Sequence, residues 1–209
     1  EKIPFADHNA MQDPSCPDIT GRVLECLGHC GFAADNPIVR RAIRFNRSHQ
    51  DADGSWWGRW GVNYVYGTWQ ILTGLKAVGE DMTAPYIARA VSWLKSVQKP
   101  DGSFGESADS YEDKSLKGIG ESTASQTAWG AMGMMAALGA DDPCVKAAID
   151  WLVAHQRPDG NWDEDFYTGT GFPRVFYLKY HLYRLYFPLT ALARYERLRA
   201  QAAPSALAR

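Results

Sequence analysis

Most of the features that mark a function at a glance are scarce in this sequence. Four cysteines, Cys16, Cys26, Cys30 and Cys144, are too few and too unevenly spaced to staple a fold with disulfides, so a reducing cytosol is the default compartment. No apolar run approaches the ~20 residues that a membrane-spanning helix needs, and no signal peptide opens the chain. Basic residues are in slight deficit. The 22 Lys and Arg against 24 Asp and Glu leave a formal charge of −2, which excludes the basic footprint of a nucleic-acid binder. Metal ligands are equally sparse: Cys26, His29 and Cys30 would share a helical face, but a zinc site needs three or four supported ligands and nothing supplies the rest. No cofactor is called for. The first residue is Glu rather than Met, so the chain is expected to be a piece of a longer protein.

Aromatic rings are what the chain has in excess: 8 Trp, 10 Tyr and 8 Phe among 209 residues. They crowd most densely in "DGSWWGRWGVNYVYGTW", residues 53–69, where carboxylates are almost absent. Rings at this density pack on one another, and they also line sites that hold an apolar or cationic guest.

An internal repeat organises the rest. "RAIRFNRSHQDADGSW" (41–56), "RAVSWLKSVQKPDGSF" (89–104) and "KAAIDWLVAHQRPDGNW" (146–162) align on an aromatic (Phe45, Trp93, Trp151), a Gln (Gln50, Gln98, Gln156) and a closing D-G-x-aromatic turn. Each repeat opens as a helix: over 84–98, Ile87, Ala90, Val91, Leu94 and Val97 recur at the intervals of one amphipathic face. Pro85 and Pro143 suit a first turn, and the Asp-Gly turns stop the helices. Second helices are expected over roughly 18–30, 67–79, 125–139 and 186–199, with Trp60, Tyr64 and Tyr66 on an extended segment ahead of the one at 67. Phe176, Tyr180, Tyr183 and Phe187, spaced 4, 3 and 4, are expected on one helical stripe. Asp18 and Arg22, one turn apart, are placed to form an ion pair. Alternating helix pairs with glycine-rich connections predict an all-α chain, about half of an α/α toroid. Within it, residues 1–17 form a loop, 18–198 the helix pairs and 199–209 a tail. Gln and the closing aromatic are read as a brace between neighbouring helices.

The three repeats match the QW motif of triterpene cyclases. Together with "KIPFADH" (2–8), "DITGRVLEC" (18–26), "ESTASQTAW" (121–129) and "YTGTGFPRVFYLKYHLYRLYFP" (167–188), in order, they resemble the C-terminal third of a bacterial squalene–hopene cyclase from about Lys2 to Leu198. The resemblance implies an (α/α)6 barrel and polycyclisation of squalene through carbocations to hopene or hopanol. It also implies an acid, the middle Asp of an Asp-x-Asp-Asp motif, which this sequence does not contain and which would lie upstream. The segment alone is therefore expected to be inert. Aromatic faces answer the chemistry, because their quadrupoles shelter a cation without offering a reactive lone pair, at ~2 kcal/mol per desolvated contact.

By that resemblance Trp60 faces an early cation, Tyr66 lies close to the acid, Tyr180 faces the early rings and Tyr183 supports it. Phe172 and Phe176 lie near later ring cations, with Tyr64 and Tyr177 also lining the substrate. Gly169 and Gly171 would let their loop approach the ligand. Asp18 and Arg22 match a buried pair behind the acid motif, where Arg stands in place of the His variant. Phe5, with Ala6, matches a narrow point of the substrate channel. The implied partner is squalene or a similar polyprenyl lipid, with peripheral attachment to the cytoplasmic face of the cell membrane and the possibility of a homodimer. Other readings remain open. A glycoside hydrolase on the same barrel needs two carboxylates about 5–9.5 Å apart facing the ring, whereas these carboxylates cluster in turns. A prenyltransferase β-subunit needs zinc ligands. A non-catalytic repeat scaffold and a cyclase of another polyprenyl chain complete the set.

Overall fold

The computed structural model describes residues 14–202, so Phe5 and Ala6 lie outside the described residues. In chain order it contains helices α1 (Pro17–His29), α2 (Pro37–Ser48), α3 (Tyr64–Ala77), α4 (Pro85–Val97), α5 (Ala124–Leu138) and α6 (Pro143–Ala154). A two-stranded hairpin, β1 (Gly169–Phe172) and β2 (Phe176–Leu178), and helix α7 (Tyr183–Ala202) complete it, with two short 3-10 turns before α5.

The helices alternate between two environments. Almost every residue of α3 from Tyr64 to Leu75, and of α5 from Ala124 to Met135, is buried, so these two are covered all round. α1, α3, α5 and α7 lie side by side in that order, while α2, α4 and α6 pack outside them and bury a single face. This is the alternation of inner and outer helices predicted from the repeat. Small residues set the inner spacing. A Cβ on Gly21 of α1 would fall 2.7 Å from the Gln70 carbonyl oxygen, and one on Gly133 of α5 3.2 Å from Trp69 Cα. Proline opens α1, α2, α4 and α6, and the side chains of Asn36 and Asp142 cap α2 and α6 by accepting from Ile38 and Cys144 N–H, each at 2.9 Å.

Two expectations need correction. Helix α3 begins at Tyr64, so Tyr64 and Tyr66 lie in its first turn and not in a loop. The cause is non-local: Glu106, some forty residues on, accepts from Asn63 and Val65 N–H at 3.2 and 2.9 Å and satisfies that helix end. The stripe from Phe176 to Phe187 is not one helix. Phe176 belongs to β2, Tyr180 precedes α7, and only Tyr183 and Phe187 share a helical face. Pro173 and Arg174, the latter at φ 68°, reverse the chain between the strands, and Thr170 pairs with Tyr177 across the hairpin.

Candidate active site

The loop from Trp57 to Asn63 is held from many directions. Asp18, fully buried at the second position of α1, accepts from Arg59 N–H at 2.7 Å and Trp60 N–H at 3.4 Å. Tyr111 donates its hydroxyl to Gly58 and Gly61 carbonyls at 2.6 and 2.8 Å, and Gln126 donates Nε2 to Val62 O at 2.9 Å. The hairpin completes the clamp. Thr170 donates its hydroxyl to Arg59 O at 2.5 Å, Val62 N–H donates to Thr168 O at 2.9 Å, and Gly61 bridges Gly169.

That bridge brings together rings that lie more than a hundred residues apart. Trp60 and Phe172 have centroids 6.1 Å apart, and Phe172 meets Phe176 edge-on at 5.8 Å. The Tyr66 ring packs on Gly61, and the Tyr180 ring on Gly169, leaving no room for a Cβ at either glycine. From Tyr66 the network continues to Trp129 at 5.0 Å, and from there to Tyr183 at 6.0 Å; Tyr180 lies 4.7 Å from Tyr183. The expected use of Gly169 and Gly171 therefore changes: they admit the Tyr180 and Phe176 rings of this same chain. Phe172 and Tyr66 are buried, whereas Phe176 and Tyr180 are each 41% exposed and present open faces. Burial raises the pKa of the Tyr66 and Tyr183 hydroxyls, so both rings are neutral phenols at ordinary pH.

Tyr64 and Tyr177 sit in other company. The buried Tyr64 ring lies under Lys117, whose Nζ is 4.2 Å from its centroid and also bonds Asp51, Asp53 and Ser55. Tyr177 stacks on Tyr111 at 5.8 Å, and its hydroxyl accepts from Arg174 N–H at 3.2 Å.

Asp18 and Arg22 do not pair. Arg22 bonds Glu25 at 2.7 Å, one turn further on, and Glu25 also takes Arg194 of α7 at 2.7 Å. Asp18 is turned instead toward the Arg59 and Trp60 amides, where buried N–H groups need an acceptor. Cys16 beside it has its thiol pushed up to about 12, by burial first and then by the Asp18 charge.

Two parts of the site have no counterpart in the expectations. Trp129 stacks on Trp69 at 5.9 Å with planes 3° apart, and both rings meet Phe187 of α7 edge-on. The available signal was register, since each Trp is the sixth residue of its inner helix. The second part is a pair of buried carboxylates two residues past a closing aromatic. Glu106 serves α3, and Glu164 accepts from Ser125 N–H and hydroxyl at 2.8 and 2.9 Å at the start of α5. Burial raises the pKa of both. Of the predicted ring residues, Phe172 lines a cavity of about 280 Å³ with Trp57, Arg59, Tyr111 and Arg174. A larger one of about 660 Å³, between α1, α3, α5 and α7, has none of them in its wall.

A family model for the squalene-hopene cyclase C-terminal domain matches residues 1–197. The chain belongs to the squalene–hopene cyclase family. Curated relatives include the squalene–hopene cyclases of Zymomonas mobilis, 46% identical over 94% of this chain and 30% of the relative, and of Alicyclobacillus acidocaldarius, 48% identical over 93% and 31%. The chain thus spans about 30% of the length of the relatives it matches. Among solved structures, ent-copalyl diphosphate synthase from Streptomyces platensis superposes with a TM-score of 0.64 at 21% identity, covering 88% of this chain and 34% of that one. That likeness shows the fold, an α/α toroid of the terpene-cyclase type, and agrees with the alternation of inner and outer helices.

Proposed function

We propose that this chain supplies the aromatic part of the cavity in a longer protein that cyclises squalene, or a similar polyprenyl lipid, to hopene or hopanol. The observation that carries the reading is the Gly61–Gly169 bridge, which joins the segment of Trp60 to the hairpin of Phe172 and Phe176, with the Tyr66 ring on Gly61 and the Tyr180 ring, in contact with Tyr183, on Gly169. A polyene folded against these rings gains attraction wherever positive charge develops, and more so in the transition state than in the neutral substrate, so the barrier falls. The proton that starts the cascade comes from outside the segment, since the sequence contains no Asp-x-Asp-Asp. Asp18 contributes by holding the Trp60 backbone.

A lipid substrate also places the longer protein at the cytoplasmic membrane face. No helix among the described residues is long and apolar enough to cross a membrane, and the attachment we propose is peripheral. Fractionation of a cell lysate at low salt that leaves the protein wholly in the soluble fraction would count against that placement. The activity itself is tested by incubating the full-length protein with squalene and analysing the extract by gas chromatography–mass spectrometry. Pentacyclic products are expected. Turnover of another polyprene but not squalene reassigns the substrate, and turnover of none rejects the reading.

A further inference from the structure

The two strands of the hairpin are held unequally. β1 is fixed to the loop that carries Trp60: Thr170 donates its hydroxyl to Arg59 O and its N–H to Trp60 O, at 2.5 and 3.4 Å. Just ahead of β1, Thr168 O accepts from Val62 N–H. The main chain of β2, which carries Phe176, makes no hydrogen bond to that loop among the described residues. Its pairing with β1 slips between Thr170 and Phe172, and a two-stranded hairpin is marginal by itself. Phe176 is also half-exposed, so burial alone does not fix its ring.

Arg174 supplies the missing tie. Among the described residues it alone takes a left-handed φ without being glycine, and every other positive φ belongs to a glycine. That backbone is strained for arginine, and such strain persists where the surroundings over-determine it. Two bonds do so here. Arg174 N–H donates to the Tyr177 hydroxyl at 3.2 Å, and Arg174 Nε donates to Tyr111 O at 2.9 Å. Tyr111 is a firm anchor. Buried at the end of the 3-10 turn Ala108–Tyr111, it stacks on Tyr177 and donates its hydroxyl to the Gly58 and Gly61 carbonyls that flank Trp60. Arg174 thus joins the hairpin turn to the Trp60 loop by way of Tyr111. Its charge plays a smaller part: Glu112 lies 3.5 Å from Nε, and both side chains are 63% exposed, where an ion pair is screened.

We propose that Arg174 is a positioning residue: its Nε bond to the Tyr111 carbonyl sets the hairpin turn, and with it the place of the Phe176 ring beside Phe172. The consequence for the reaction rests on the function proposed above. Phe176 shelters a cation only while β2 holds it against Phe172, and a loosened β2 lets the guest lose a proton before its last rings close. Arg174 acts through that ring and not on the substrate.

Arg174→Gly and Arg174→Gln in the full-length protein separate the bond from the charge. Glycine removes the strain and the tie together, whereas glutamine keeps an N–H donor at the place of Nε and carries no charge. Amide hydrogen exchange, read by mass spectrometry, is followed on a peptide covering 169–178 with α3 as the internal reference. The hairpin should exchange at least about fivefold faster in Arg174→Gly and within about twofold of wild type in Arg174→Gln, with α3 unchanged in both. An unchanged hairpin in the glycine variant overturns the proposal, as does acceleration that extends equally to α3. Exchange in the glutamine variant as fast as in the glycine variant also overturns it, because charge and not the bond would then hold the turn. With squalene, Arg174→Gly should release at least about threefold more incompletely cyclised product than wild type, and Arg174→Gln should keep the wild-type ratios. Wild-type ratios from a loosened hairpin overturn its bearing on the products. A wild-type protein inert toward squalene rejects the proposed function instead, and the exchange measurement still decides the tie.

Discussion

Gly169→Ala isolates the position of the Tyr180 ring from the stability of the fold. Gly169 is an extended strand residue outside the left-handed region, so alanine adds no backbone strain. Its Cβ would fall inside contact distance of Tyr180 Cδ2 and Cε2, and 3.1 Å from Leu178 O. Because carbon atoms settle at 3.5–4.0 Å, the ring must retreat by about 1 Å. Tyr180 is 41% exposed and can yield outward, so overpacking should cost roughly 1 kcal/mol, the low end for such insertions. On the reaction the consequence is larger. A desolvated cation–ring contact is worth ~2 kcal/mol, and losing most of it shifts the competition between further ring closure and early deprotonation by roughly tenfold. The assay is product analysis of the full-length protein with squalene, beside thermal unfolding of the same preparation. A folded variant with wild-type product ratios would refute the placement of Tyr180 beside a cation.

Two further perturbations probe the buried carboxylates. Asp18→Ala leaves the buried Arg59 N–H, and the more weakly bound Trp60 N–H, without an acceptor and should cost about 2–4 kcal/mol in denaturant unfolding, whereas Asp18→Asn keeps an acceptor and should lose roughly half of that. Equal losses would contradict the anchoring role. Glu164 has its carboxyl pKa raised above 4.5 by burial, so its contribution to stability is full below pH 4.5 and declines as pH rises through the raised folded value. The melting temperature of Glu164→Gln relative to wild type should therefore climb with pH above 4.5; a constant difference from pH 4 to 7 would refute the assignment.

Local periodicity made much of the fold legible. Ile87, Ala90, Val91 and Leu94 announce α4 by their spacing, and all four are buried against the inner helices. The repeat helices end at Ser48, Val97 and Ala154, a few residues ahead of the D-G-x-aromatic turns, in which Gly54, Gly102 and Gly160 take the left-handed backbone that reverses the chain. Long-range acceptors were not legible. The first turn of α3 depends on Glu106, and nothing near Tyr64 announces that carboxylate. The stripe from Phe176 to Phe187 satisfied a helical spacing by coincidence, since three-residue strands are too short for alternation to compete with it. Arg22 had two carboxylates one turn away, Asp18 and Glu25, and spacing cannot tell which of them the loop amides have already claimed. The contact of Trp60 with Phe172, 112 residues on, followed from no local pattern and was implied only by the family resemblance.

The central claim is that rings of this chain shelter the migrating charge. Its most direct test is the product spectrum of Trp60→Val and Tyr180→Leu in the full-length protein incubated with squalene. The account predicts mono- and bicyclic products released early from both variants, because each removes a face that a developing cation needs. Wild-type ratios from both, in folded protein, would contradict it.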